Sequence, residues 1–167
     1  KKIDITGGPP VVLCDTPNVL GGTWNKDGVI LFGRGVAGGM SRVAAAGGSA
    51  TVLTTPDSSQ QEITYRFPYF LPDGEHFLFR VQSGLADRTG IYVGSLNSPE
   101  KRFLLASSGS AQYVPPGYVL FLRAEGLTRD GQIEPAKSKY VEAAAEFGKE
   151  LARNPTHAPS LSSRAIA

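Results

Sequence analysis

Along the first two thirds of the chain, hydrophobic and polar positions alternate with the period of two that marks half-buried strands. The alternation is interrupted by one recurring unit, a hydrophobic strand, a short acidic or proline turn ending in glycine, and a second hydrophobic strand. It occurs as Thr23 to Phe32, as Phe70 to Phe79 and as Tyr113 to Phe121. The turn glycines Gly28, Gly74 and Gly117 are 46 and 43 residues apart. That spacing suits four-stranded sheet units repeated along a chain and is too long for a simple array of hairpins.

The second unit is the most complete. Phe67-Pro68-Tyr69-Phe70-Leu71 suits a buried inner strand, and Pro72-Asp73-Gly74 turns it, with proline fixing the bend and glycine accepting a positive φ. His76 to Val81 returns antiparallel, a polar loop spans Gln82 to Thr89, and further strands are expected at Gly90 to Leu96 and Arg102 to Ala106. The first unit repeats this plan with strands at Gly22 to Asn25, Val29 to Gly33, Met40 to Ala45 and Thr51 to Thr54. Residues 2 to 18 parallel residues 42 to 57, so the chain is expected to open with the two outer strands of a preceding unit.

Four-stranded units in series predict a mainly β fold, a partial β-propeller of antiparallel blades with about two whole blades and parts of two others. Even a small closed ring needs roughly 180 residues at about 45 per blade, so a chain of 167 residues is read as a stretch of a longer polypeptide. The rest of the ring would then be supplied in cis.

Beyond residue 122 the glycines thin out and the period changes to that of a helix. Residues 123–136 form a polar linker. In residues 137–167, Tyr140, Ala143, Ala144, Phe147 and Leu151 share one helical face, which should end before Asn154-Pro155. The domain organisation expected is therefore a propeller segment over 1–122, the linker, and a C-terminal α-helical segment.

Composition narrows the function. Hydrophobic residues make up 41% and charged residues 19%, which is globular, and the net charge of +2 is spread without a basic run. Nucleic-acid binding by counterion release has no footprint in such a pattern. The single cysteine, Cys14, excludes an internal disulfide framework. No apolar stretch is long enough for a membrane-spanning helix, and no metal or cofactor motif occurs. His76 and His157 are the only histidines, and no Gly-x-Ser-x-Gly elbow occurs, so the segment itself is expected to be noncatalytic.

The run Arg66-Phe67-Pro68-Tyr69-Phe70-Leu71-Pro72-Asp73-Gly74-Glu75-His76-Phe77-Leu78-Phe79, followed by Gly90-Ile91-Tyr92-Val93-Gly94-Ser95-Leu96, resembles the TolB-like propeller repeats. It looks most like those in the C-terminal, extracytoplasmic halves of bacterial receptor-type Ser/Thr kinases. The resemblance implies a periplasmic or extracytoplasmic setting and leaves the cytoplasm open. The spacing of Tyr140, Ala143, Phe147 and Pro155 similarly resembles a tetratricopeptide repeat, which implies a second protein-binding surface.

Asp27 and Asp73 precede the turn glycines and are expected to serve the turns, as are Gly28, Gly74 and Gly117. The ligand-binding candidates are Tyr65 and Arg66, which precede an inner strand and so would lie near a central channel. Three readings follow. The first is a noncatalytic protein-interaction or ligand-sensing module with a protein or peptide partner. The second is the sensor part of a bacterial membrane Ser/Thr kinase, and the third is the substrate-gating propeller of a prolyl-oligopeptidase-like hydrolase.

Overall fold

The computed structural model of the chain describes residues 1–16 and 18–122. The linker and the helical, tetratricopeptide-like segment expected beyond residue 122 lie outside the described residues. Within them the fold is mainly β and antiparallel. The first sheet is a four-stranded meander of β1 (Val19–Trp24), β2 (Val29–Arg34), β3 (Met40–Ala44) and β4 (Thr51–Thr54), each strand bonded to the next in sequence. The second repeats that order with β5 (Glu62–Phe70), β6 (His76–Ser83), β7 (Gly90–Ser95) and β8 (Lys101–Leu105). A third pair, β9 (Ala111–Val114) and β10 (Tyr118–Phe121), stands as a two-stranded hairpin. The sheets do not close on one another among the described residues.

The two large sheets pack face to face, and the core lies between them. From the first come Leu31 and Met40; from the second come Tyr65, Phe70, Phe77, Phe79, Val81 and Tyr92, all buried. The rings of the second sheet form a chain of edge-on and tilted neighbours: Tyr65 and Phe79 centroids lie 5.2 Å apart, Phe77 and Phe79 5.5 Å, and Tyr92 and Phe103 5.3 Å. Such offset geometries satisfy the ring quadrupoles and add to the burial term. Gly94, facing Phe77 on the neighbouring strand, leaves room for that ring and for Phe79.

Close backbone approach joins the sheets along one seam. The amide of Tyr65 donates to the carbonyl oxygen of Gly38 at 2.8 Å, and the amide of Phe70 donates to the Thr23 hydroxyl at 3.1 Å. A side chain at Gly33 would meet the Tyr65 carbonyl oxygen across that seam at 2.7 Å; within the first sheet, one at Gly38 would strike the Arg34 carbonyl and one at Gly39 the Thr54 carbonyl.

Two expectations are corrected. The inner strand of the second unit begins at Glu62, not at Phe67, so Tyr65 and Arg66 lie inside a strand. The opening segment, expected as two outer strands, makes only a single bridge between Lys2 and Val11. A two-stranded ribbon with no third strand has little apolar area to bury, and Ile5 is fully exposed here. The segment instead crosses the outer face of the first sheet, with Leu13 buried.

Candidate ligand-binding site

Strand β5 cannot be regular. Tyr65 and Phe70 both belong to the core cluster, yet they are five positions apart, an odd number that would put them on opposite faces of an unbroken strand. A bulge between Arg66 and Tyr69 resolves the conflict: Tyr69 pairs with Leu78, whereas Arg66 pairs with Arg80. Two residues of β5, Phe67 and Pro68, thus oppose one of β6, Phe79. Phe67, within the bulge, takes φ of 53°, a left-handed conformation that costs a non-glycine residue energy. Gly21, itself at φ of 79°, makes this geometry fit, because a Cβ there would lie 2.9 Å from the Phe67 Cα.

The bulge sets two arginines directly opposite one another. Without it Arg66 would face Val81; with it the guanidinium side chains of Arg66 and Arg80 share the face of the second sheet that looks away from the aromatic core. Thr64, two residues before Arg66, lies on the same face. Thr64 Oγ1, Arg66 Nε and Arg80 Nε are the buried side-chain polar atoms that lack a hydrogen-bond partner among the described residues. Burial, and then the neighbouring Arg66 charge, hold the Arg80 guanidinium below its ordinary pKa. Like charges directly across a strand pair are destabilising, and an unmet buried donor costs about 1–3 kcal/mol more.

Tyr65, the other candidate, points the opposite way. It is fully buried, and its hydroxyl donates to Glu62 Oε2. The same carboxylate accepts the Asp57 amide at 2.8 Å and lies 3.2 Å from the Lys101 ammonium, which sits 5.6 Å from the Tyr65 ring centroid. Burial and the adjacent Glu62 carboxylate raise the Tyr65 pKa, so the phenol stays protonated. The structure therefore separates the two residues: Tyr65 anchors the core beneath the bulge, and Arg66 stands on the far side of the sheet.

The turn residues also divide. Gly28 and Gly74 both take φ of 77°, the left-handed conformation for which glycine is suited. Gly117 lies between β9 and β10 without a positive φ and has open space around it, so no backbone requirement singles it out. Asp73 Oδ1 accepts the amides of Glu75 and His76, each at 2.9 Å, and Oδ2 takes a 2.6 Å hydrogen bond from His76 Nδ1. Burial pushes the Asp73 pKa up, but the His76 ring and the two amides outweigh it, and the net effect is downward. Asp27 instead faces solvent and pairs with Lys26 at 2.9 Å.

Two further features were not singled out by sequence. Arg80 is one, and its signal was the hairpin centred on Pro72-Asp73-Gly74 combined with the odd Tyr65-to-Phe70 spacing. The other is an open recess of about 330 Å³ on the outer face of the first sheet, lined by Lys2, Leu13, Trp24, Phe32 and neighbours. The Lys2 ammonium there donates to the Ala45 carbonyl at 2.7 Å and lies 5.9 Å from the Trp24 ring centroid. Among the described residues no group of three or more His, Cys, Asp or Glu side chains could hold a metal ion. No helix among them is long and apolar enough to cross a membrane.

Comparison with protein-family models, curated proteins and solved structures found no match to this chain.

Proposed function

We propose that the chain is a noncatalytic protein-interaction or ligand-sensing module built from propeller-like repeats. The observation that carries this reading is the repetition itself: two four-stranded meanders of the same strand order, packed face to face through their leading strands, followed by a third leading hairpin. Stacked meanders of this kind present a row of equivalent strands and loops, which is a surface for recognition. The chemistry of the conspicuous groups agrees. The Asp73 carboxylate is committed to its own turn and to His76, and the Arg66 and Arg80 side chains are donors with no acceptor capacity. Donors of fixed charge bind and orient; they do not shuttle protons near neutrality.

The test uses the full chain, immobilised and exposed to a mixed peptide library, with bound and unbound peptides read by mass. Retention of a subset at unchanged mass is the expected outcome. Peptides released with altered mass, or no retention of any subset, would overturn the reading.

A further inference from the structure

We propose that Arg66, Arg80 and Thr64 together form an oxyanion site, which takes a carboxylate or phosphate group of the ligand on the far face of the second sheet. The inference rests on the binding-module reading and names the chemistry of its ligand. Three observations converge on it. The unsatisfied buried side-chain atoms among the described residues, Thr64 Oγ1, Arg66 Nε and Arg80 Nε, all fall on one face of one strand pair. Two are cationic donors and the third is a hydroxyl able to donate, a set that matches an oxygen-rich anion. The arginines are aligned only because of the Arg66 to Tyr69 bulge, with Phe67 held at φ of 53°.

A neutral or cationic ligand would leave the like-charge pair uncompensated. An oxyanion placed between the guanidinium groups answers the repulsion and the unmet donors together. No carboxylate of the described residues does so, because the nearest acidic residue on the strand, Glu62, is engaged by Tyr65, Lys101 and the Asp57 amide. The depressed pKa of Arg80 agrees with a site that lacks a counter-charge.

The experiment titrates the full chain with glutarate and, separately, with inorganic phosphate, holding ionic strength constant with chloride. The readouts are the arginine Nε–H resonances and the thermal midpoint. Saturable shifts of the Arg66 and Arg80 Nε–H signals are expected with at least one probe, and which one separates a carboxylate ligand from a phosphate ligand. A rise in the thermal midpoint on the order of 4 °C should accompany them at about tenfold excess over the dissociation constant. Arg80→Met should weaken the anion at least tenfold while raising the ligand-free midpoint, since it removes both the repulsion and a buried donor. A purely structural arginine would give the opposite sign for that midpoint. Absent Nε–H shifts with both probes, or an Arg80→Met variant that binds as tightly as the parent, would overturn the proposal. Peptide capture distinguishes the two levels: capture undiminished in Arg80→Met rejects the oxyanion site alone, whereas absent capture with intact glutarate or phosphate binding rejects only the module reading.

Discussion

The leading hairpins of the two large sheets carry the same turn grammar and hold it with different side chains. In the β1–β2 turn the acceptor is Asn25, whose Oδ1 takes the amides of Asp27 at 3.1 Å and Val29 at 2.8 Å. In the β5–β6 turn the corresponding position is Leu71, a buried apolar residue, and Asp73 two places later supplies the acceptor. The aspartates that line up in sequence are therefore not equivalent. Asp73 holds its turn from within, while Asp27 lies at the surface beside Lys26. The loops differ in length as well: Asn25 closes on the Val29 carbonyl, but Leu71 closes on that of His76, one residue further.

The two turns are also coupled. Asn25 Nδ2 donates to the Gly74 carbonyl at 2.7 Å, so one side chain closes its own turn and ties it to the next. This gives the largest expected effect among the turn substitutions. Asn25→Ala removes three hydrogen bonds at a buried position and should cost about 2–3 kcal/mol in chemical denaturation. Asn25→Asp sharpens the point, because it retains the acceptor for Asp27 and Val29 but loses the donor toward Gly74. If Asn25→Asp is as stable as the parent, the link between the turns contributes nothing.

A smaller effect is expected at Asp73. Its pKa is lower in the folded chain than the ordinary carboxylate value, so its contribution is present above about pH 4 and is lost as pH falls through the folded value. Asp73→Asn keeps an oxygen for the Glu75 and His76 amides and gives up the charged contact with the imidazole. It should cost about 1 kcal/mol at neutral pH and flatten the acid limb of the stability curve. An unchanged acid limb would show that the carboxylate charge is immaterial to the turn.

The least effect belongs to Asp27→Ala, which should fall within about 0.5 kcal/mol of the parent because its partner is an exposed lysine. A loss comparable to that of Asp73→Asn would restore the equivalence that alignment of the two turns suggests.

Much of the sheet plan was legible because strand alternation and turn chemistry agree along residues 19–121. Val29 to Arg34 and Gly90 to Ser95 are apolar runs bounded by turn residues, and both are strands. What escaped depended on pairing across strands. The aromatic run from Phe67 to Phe70 marks Phe67 as a strand start in the sequence alone. The continuation back to Glu62 comes from pairing with β6, where Glu62 lies opposite Ser83 and Tyr65 opposite Val81. The meeting of Arg66 with Arg80 depends on a bulge, and a bulge shows in sequence only as a parity conflict between core positions. Asn25 is masked in the sequence because Asp27 occupies the place that alignment of the turns assigns to the acceptor, although asparagine at the first position of a four-residue turn is itself a signal.

The glycine loop after β2 lacks the lysine that a phosphate-binding loop would carry; a positive φ accounts for Gly35, and crowding against backbone carbonyls accounts for Gly38 and Gly39, without any ligand. That has a consequence for how such a chain can diverge. Side chains on outer strands can drift freely, as the exposed Val52 on β4 illustrates. Gly33, Gly38 and Gly39 cannot, since even a methyl group at any of them presses against a carbonyl oxygen. Chains descended from a common ancestor with this one should keep those three glycines after their exposed side chains have changed, so the end of β2 and the loop behind it mark shared ancestry.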